Sequence, residues 1–115
     1  MREIHFYRKK SGKCPVEEFF DTLSDKQVEK ILWVLRIIRD TDFIPREYFK
    51  KLINADDIWE IRIKSGGNTF RILGFFHKNK IIILTNGFMK KTQKTPSTEI
   101  KIAQDRKLDY LERNK

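Results

Sequence analysis

Ile81-Ile82-Ile83-Leu84-Thr85-Asn86-Gly87-Phe88-Met89-Lys90-Lys91-Thr92-Gln93-Lys94-Thr95-Pro96 joins an apolar strand to an amphipathic helix through a cationic run. Residues 81–84 are continuously apolar, the pattern of a central strand covered on both faces. The strand is expected over residues 80–87. Residues 88–96 carry three lysines, two threonines, a glutamine and no acid. Burying unpaired ammonium groups is prohibitively costly, so this run is expected to face solvent. It lies where two rigid elements meet, a placement that holds polyanion-binding side chains firmly. Taken alone, the same run also reads as a solvated basic linker.

Working back from that strand, two more alternate with period two. In residues 57–63, Trp59, Ile61 and Ile63 face one way and Ile58, Glu60 and Arg62 the other. In residues 69–76, Phe70, Ile72 and Phe76 oppose Arg71, Leu73 and Phe75. Ser65-Gly66-Gly67-Asn68 reads as the hairpin loop between them. Lys78-Asn79 makes the next tight turn, where Asn tolerates positive φ. Arg62 and Arg71 then sit mid-strand on paired strands and project from one face. Glu60 is a candidate carboxylate partner. With the lysines beyond the next strand they form a cationic site drawn from three elements.

Upstream, residues 3–8 alternate as a first strand. Pro15 opens a short helix whose Val16, Phe19, Phe20 and Leu23 share a face. Cys14 falls at its cap, with a packing or capping role expected. Ser24 and Gln27 form a capping-box pattern for a second helix. There Val28, Ile31, Leu32, Leu35 and Ile38 recur at helical spacing, and Trp33, Val34 and Ile37 widen the stripe. That width predicts burial on more than one side. Residues 46–52 interleave bases and aromatics, which fits either a connector tucked under the sheet or a second polyanion contact. After Pro96 comes a final basic helix, with Thr95 as its expected cap and a partial stripe of Ile100, Ala103, Leu108 and Leu111.

The 115 residues suit one domain, 1–115. With 39% hydrophobic and 12% aromatic residues the chain can bury a core. Lys and Arg number 25 against 16 acids, a net charge of +9. Such an excess attracts nucleic acid, anionic membrane or an acidic partner, and says nothing of fold. No apolar run is long enough to span a bilayer. The start, Met1-Arg2-Glu3-Ile4-His5, has no signal-peptide apolar region. A single cysteine excludes an intramolecular disulfide. A cytoplasmic protein is expected, with no membrane partner. Two isolated histidines, His5 and His77, and one cysteine make no metal site, so no metal or cofactor is expected.

The pattern Trp59-Glu60-Ile61-Arg62, then Phe70-Arg71-Ile72-Leu73, then residues 87–96, then Glu99-Ile100 with Ala103 and Arg106, resembles the HigB-type branch of the RelE/ParE toxin superfamily. These are phage-derived HigB-like toxins of type II toxin–antitoxin systems. The early Pro15-Val16-Glu17-Glu18-Phe19 fits the same pattern, so the likeness covers nearly the whole chain. It implies a compact RelE-like α+β domain: a mainly antiparallel, curved sheet with an N-terminal helical hairpin and a C-terminal helix. It implies a ribosome-dependent mRNA endonuclease (an mRNA interferase), and a HigA-like antitoxin with a helix-turn-helix domain.

The chemistry implied is transesterification: a 2′-hydroxyl attacks the adjacent phosphodiester. That needs proton transfer and cations for the developing phosphorane charge. Arg62 and Arg71 suit charge stabilisation, because a guanidinium matches phosphate bidentately. Lys90 and Lys91 suit substrate positioning or proton transfer. Lys50, Lys51, Phe88 and Lys94 are expected RNA contacts. Many relatives carry Tyr or His near the end of the last strand, where this chain has Phe88, so the acid and base are unassigned. Two other readings stay open: a ParE-type gyrase inhibitor that cuts nothing, and an RNA-binding module without chemistry.

Overall fold

Period-two alternation from Trp59 onward becomes a three-strand meander in the computed structural model, which describes residues 2–115. The elements are β1 (Glu3–Phe6), α1 (Pro15–Asp21), α2 (Asp25–Asp40), β2 (Phe49–Lys51), β3 (Trp59–Ser65), β4 (Asn68–His77), β5 (Ile81–Met89) and α3 (Ser97–Arg113). They form one sheet of order β1-β5-β4-β3-β2. β1 runs parallel to β5; the other pairs are antiparallel. The fold class is thus α+β, as expected. Gly66 takes φ +62° in the loop between Ser65 and Asn68, and Lys78 and Asn79 both take positive φ in the next turn.

Helices cover both faces. α1 and α2 pack on the face carrying Ile61, Ile63, Phe70, Ile72, Ile82 and Leu84. Pro15 opens α1 and Val16 is buried beneath it. Ser24 and Gln27 complete the expected capping box at the start of α2. From α2, Ile31, Val34, Leu35 and Ile38 are buried, each burial stabilising by about 2 kcal/mol. The expected burial on more than one side does not occur: Leu32 and Trp33 stay exposed, because only the sheet side meets other elements. Cys14 caps nothing with its side chain; it is buried and packs.

α3 lies on the opposite face, over Ile58, Leu73, Phe75 and Ile83. Only Ala103 is fully buried. Polar ties hold the rest. The Tyr7 hydroxyl donates to Asp109 at 2.5 Å, Arg113 pairs with the same carboxylate at 2.7 Å, and Lys107 donates to the Asp56 carbonyl at 2.8 Å. The hydrogen bond from Arg113, then that from Tyr7, hold the Asp109 carboxyl below its ordinary value. Burial first, then Asp109, raises the Tyr7 phenol. None of these helices is long and apolar enough to cross a membrane.

The chain departs from the sequence expectation at three places that shape the open end of the sheet. Residues 49–51 form an edge strand, β2, where a connector or a polyanion contact was expected; a three-residue strand is too short to show a period. The last strand runs on to Met89, two residues into the cationic run. And β5 bulges. Leu73 pairs with Asn86 but its neighbour Gly74 pairs with Leu84, leaving Thr85 extra. An extra residue flips every later side chain to the other face. So Ile82 and Leu84 face α1 and α2, while Asn86, Phe88 and Lys90 turn towards α3. The bulge has its own fittings. Arg106 from α3 donates to the Thr85 carbonyl at 2.9 Å. A Cβ at Gly74 would stand 2.5 Å from the Ile83 carbonyl oxygen, so only glycine fits opposite the extra residue.

A cationic mouth on the half-open face of the sheet

α3 covers one end of its sheet face. At the other end the strands present polar side chains in register. Lys50 pairs with Glu60, Glu60 with Leu73, and Leu73 with Asn86. The next row sets Arg62 opposite Arg71 and Arg71 opposite Phe88. The last row sets Lys64 opposite Thr69, whose carbonyl accepts from the Lys90 backbone at 2.8 Å. Pairing and parity therefore bring Lys50, Arg62, Lys64, Arg71 and Lys90 to one face.

Beneath them lies a buried clasp. Glu60 is 0% and Arg71 1% exposed. Arg62 Nε donates to Glu60 Oε1 at 2.8 Å. Arg71 Nη1 lies 3.4 Å from Glu60 Oε2 and donates to Thr95 Oγ1 at 2.9 Å; its Nη2 donates to the Gln93 carbonyl at 2.9 Å. The Thr95 hydroxyl in turn donates to Glu60. Arg71 Nε has no partner among the described residues. Groups from β3, β4 and the loop before α3 thus close on one carboxylate, and a buried charge persists only when paired and hydrogen-bonded in this way.

This arrangement corrects two expectations. Thr95 does not cap α3; Pro96 stands at the cap, and the Thr95 hydroxyl serves the clasp. The run 88–96 is not wholly solvent-facing, because Thr95 is buried and Phe88 half-buried against the α3 cluster. Arg71 shares the face of Arg62, as expected, but its guanidinium is spent inside. Its fork grips Thr95 and Gln93, where the sequence pattern aimed it at a phosphate.

What reaches solvent is a different set. Arg62 keeps 32% of its side chain exposed. Lys91 and Lys94 are exposed, and Lys90 is half-buried with Nζ donating to Gln93 Oε1 at 3.2 Å. A cavity of about 350 Å³ opens between hairpin residues 67–69 and loop residues 90–93. It is lined by backbone, hydroxyls, amides and two lysines, a fit for a phosphate or another small anion. Among the described residues no cluster of three or more His, Cys, Asp or Glu stands ready for a metal.

The family description "Phage derived protein Gp49-like (DUF891)" matches residues 18–108, most of the chain and all of this face. The chain belongs to the Gp49-like family. That family is a RelE/HigB-type toxin family, one associated with endoribonuclease activity, and its toxins imply an antitoxin partner. No curated protein matches the chain.

In this Gp49-like chain Lys50 and Lys51 part company. Lys50 stands on the Glu60 row, whereas Lys51 pairs with Trp59, pointing to the other face, and binds Asp57 at 2.7 Å. That bond, made by Lys51, holds the Asp57 carboxyl below its ordinary value. Each phosphate contact contributes about 0.7 to the salt slope of single-strand binding. Lys50→Ala is therefore expected to flatten log affinity against log salt by roughly 0.7, and Lys51→Ala to leave it unchanged. Titrations of RNA at several salt concentrations measure both slopes. Lys64 was missed from sequence, though it continues the alternation of Glu60 and Arg62. The Glu60–Thr95 link was missed because nothing in spacing announces a contact across 35 residues.

Proposed function

We propose that this chain is the toxin of a type II toxin–antitoxin pair, of the phage-derived HigB-like branch, and that it cleaves mRNA on the ribosome in the cytoplasm. The observation that carries this reading is the cationic mouth itself. Lys90 and Lys91 line an anion-sized cavity, and Arg62 stands on the same sheet face, held by the buried Glu60 carboxylate. A gyrase-binding surface needs no such cavity.

A 2′-oxygen attacks the neighbouring phosphorus, its proton leaves, and the 5′-oxygen departs with a proton. The products are a 2′,3′-cyclic phosphate and a 5′-hydroxyl. Charge builds on the non-bridging oxygens in the transition state, and preorganised cations stabilise it there most. Arg62 offers a planar fork for those oxygens. Lys90 and Lys91 position the phosphate and are the groups proposed for proton transfer. Arg71 acts from beneath, by fixing Gln93 and Thr95 and so the loop that carries both lysines. Lys50, Phe88 and Lys94 extend the contact along the RNA, and Lys51, on the other face, stands outside it. The antitoxin, a HigA-like helix-turn-helix protein, meets a basic molecule whose α3 exposes Leu108 and Leu111.

Primer extension on mRNA from cells expressing the chain alone tests the reading. Discrete cleavage within translated codons, before any change in plasmid supercoiling, is the expected result. Growth arrest with intact mRNA and trapped gyrase would overturn it.

A further inference from the structure

A second groove lies on the far side of the β3–β4 hairpin. It has a volume of about 910 Å³ and runs between α2 and the hairpin tip. Lys26, Lys30 and Arg36 line it from α2, and Ser65, Gly66 and Asn68 from the hairpin. Glu29 is the one acid in its lining. Trp33, in its lining, is 43% exposed, beside exposed Leu32, and Lys30 Nζ stands 4.4 Å from the Trp33 ring centroid. Neither the fold nor the proposed chemistry uses this tryptophan. Positions 26, 30 and 33 share one helical stripe, outward from the buried Ile31, Val34, Leu35 and Ile38. Exposing an indole and three cations on one side of the helix contributes nothing to the core.

The groove and the cavity of the cationic mouth meet at the hairpin tip. Asn68 lines both cavities, so the hairpin tip stands between them. We infer that the α2 groove is a second subsite for single-stranded RNA. One strand lies with a phosphate in the Lys90–Lys91 cavity, crosses the tip at Asn68, and stacks a base on Trp33 between the cations of α2. Alternating aromatic and basic groups are what a sequence-tolerant strand-binding surface requires, since every base has a π-face and every linkage a charge. The inference rests on the RNA reading of the mouth. It adds that substrate length matters and that α2 takes part in binding.

The test compares binding of a trinucleotide and a dodecamer, both 2′-O-methylated so that no attacking hydroxyl is present. The parent chain is expected to hold the dodecamer more tightly. Stacking of one base supports a loss of about tenfold in dodecamer affinity for Trp33→Ala, with trinucleotide affinity unchanged. Trp33→Phe should retain most of the affinity, which separates lost stacking from a folding defect. Lys30→Ala with Arg36→Ala should flatten the dodecamer salt slope by roughly 1.4. If Trp33→Ala binds the dodecamer like the parent, the strand does not run through α2 and the inference falls, while the mouth stands. If that variant keeps RNA but loses an acidic antitoxin, the groove is a protein-docking surface and the inference falls. If the parent holds neither oligonucleotide, the RNA reading of the mouth falls with it.

Discussion

Lys90→Ala with Lys91→Ala is expected to lower the rate of RNA cleavage by roughly a hundredfold or more, the cost of removing comparable charge-stabilising donors. The fold should hardly register the change. Lys91 is exposed, and Lys90 Nζ donates to the Gln93 amide oxygen. Surface substitutions of this kind stay within about 0.5 kcal/mol. The structural role falls to the backbone, through the Lys90 amide on the Thr69 carbonyl. A cation aimed at a phosphorane stabilises the transition state beyond the ground state, so the loss should fall on kcat more than on KM. Single-turnover cleavage of ribosome-bound mRNA, run beside a thermal melt of the same sample, reads both rate and stability. A folded double variant that cleaves at the parent rate would remove the lysines from the chemistry.

Much of the fold was legible because it rests on local signals. Ser24 and Gln27 announce the start of α2. Gly66-Gly67 and Lys78-Asn79 announce the two turns. Alternation assigned Ile61 and Ile63 to one face and Glu60 and Arg62 to the other, and the register agrees. Counting fails at Thr85. Period two carried forward from Ile83 would put Phe88 and Lys90 on the α1 face. Only the pairing of Leu73 with Asn86 and of Gly74 with Leu84 reveals the extra residue. The face of the lysines is thus a tertiary fact, decided by a bulge that Arg106 and Gly74 accommodate. The outer side of α2 misled for another reason. Apolar residues spread around that helix, but hydrophobicity does not say whether a neighbour exists to cover them. Leu32 and Trp33 have none.

The arginines show what alternation can and cannot decide. It placed Arg62 and Arg71 on one face, and they are direct cross-strand partners. It did not say which is reachable. Depth is set by the loop at residues 90–95, which folds over Arg71 and leaves Arg62 at the rim. Two like residues in one register pair therefore take different places, one reaching solvent and one holding the loop that carries the lysines.

Arg71→Ala is expected to destabilise the protein by about 3–5 kcal/mol, because it leaves the buried Glu60 carboxylate without its inner partner. At about 4 °C per kcal/mol for a domain of this size, Tm should fall by roughly 12–20 °C. Arg71→Lys should recover little of this. An ammonium cannot reach Glu60, Thr95 and the Gln93 carbonyl together in place of the fork. A stability loss alone does not show that Arg71 positions the loop, so a second variant is needed. Glu60→Leu with Arg71→Met replaces the buried charges by apolar groups of similar size. Such exchanges are often neutral or stabilising, offset here by about 1–3 kcal/mol for the Thr95 hydroxyl left unsatisfied. Most of the lost Tm should therefore return. Cleavage should not return, because Gln93 and Thr95 are no longer tied to β4 and Arg62 has lost the carboxylate that orients it. Hydrogen exchange at residues 90–95 should rise in the same double variant. Parent-like melting of Arg71→Ala would show that the clasp does not hold the fold. Parent-like cleavage by the stable double variant would show that the loop finds its geometry without Arg71.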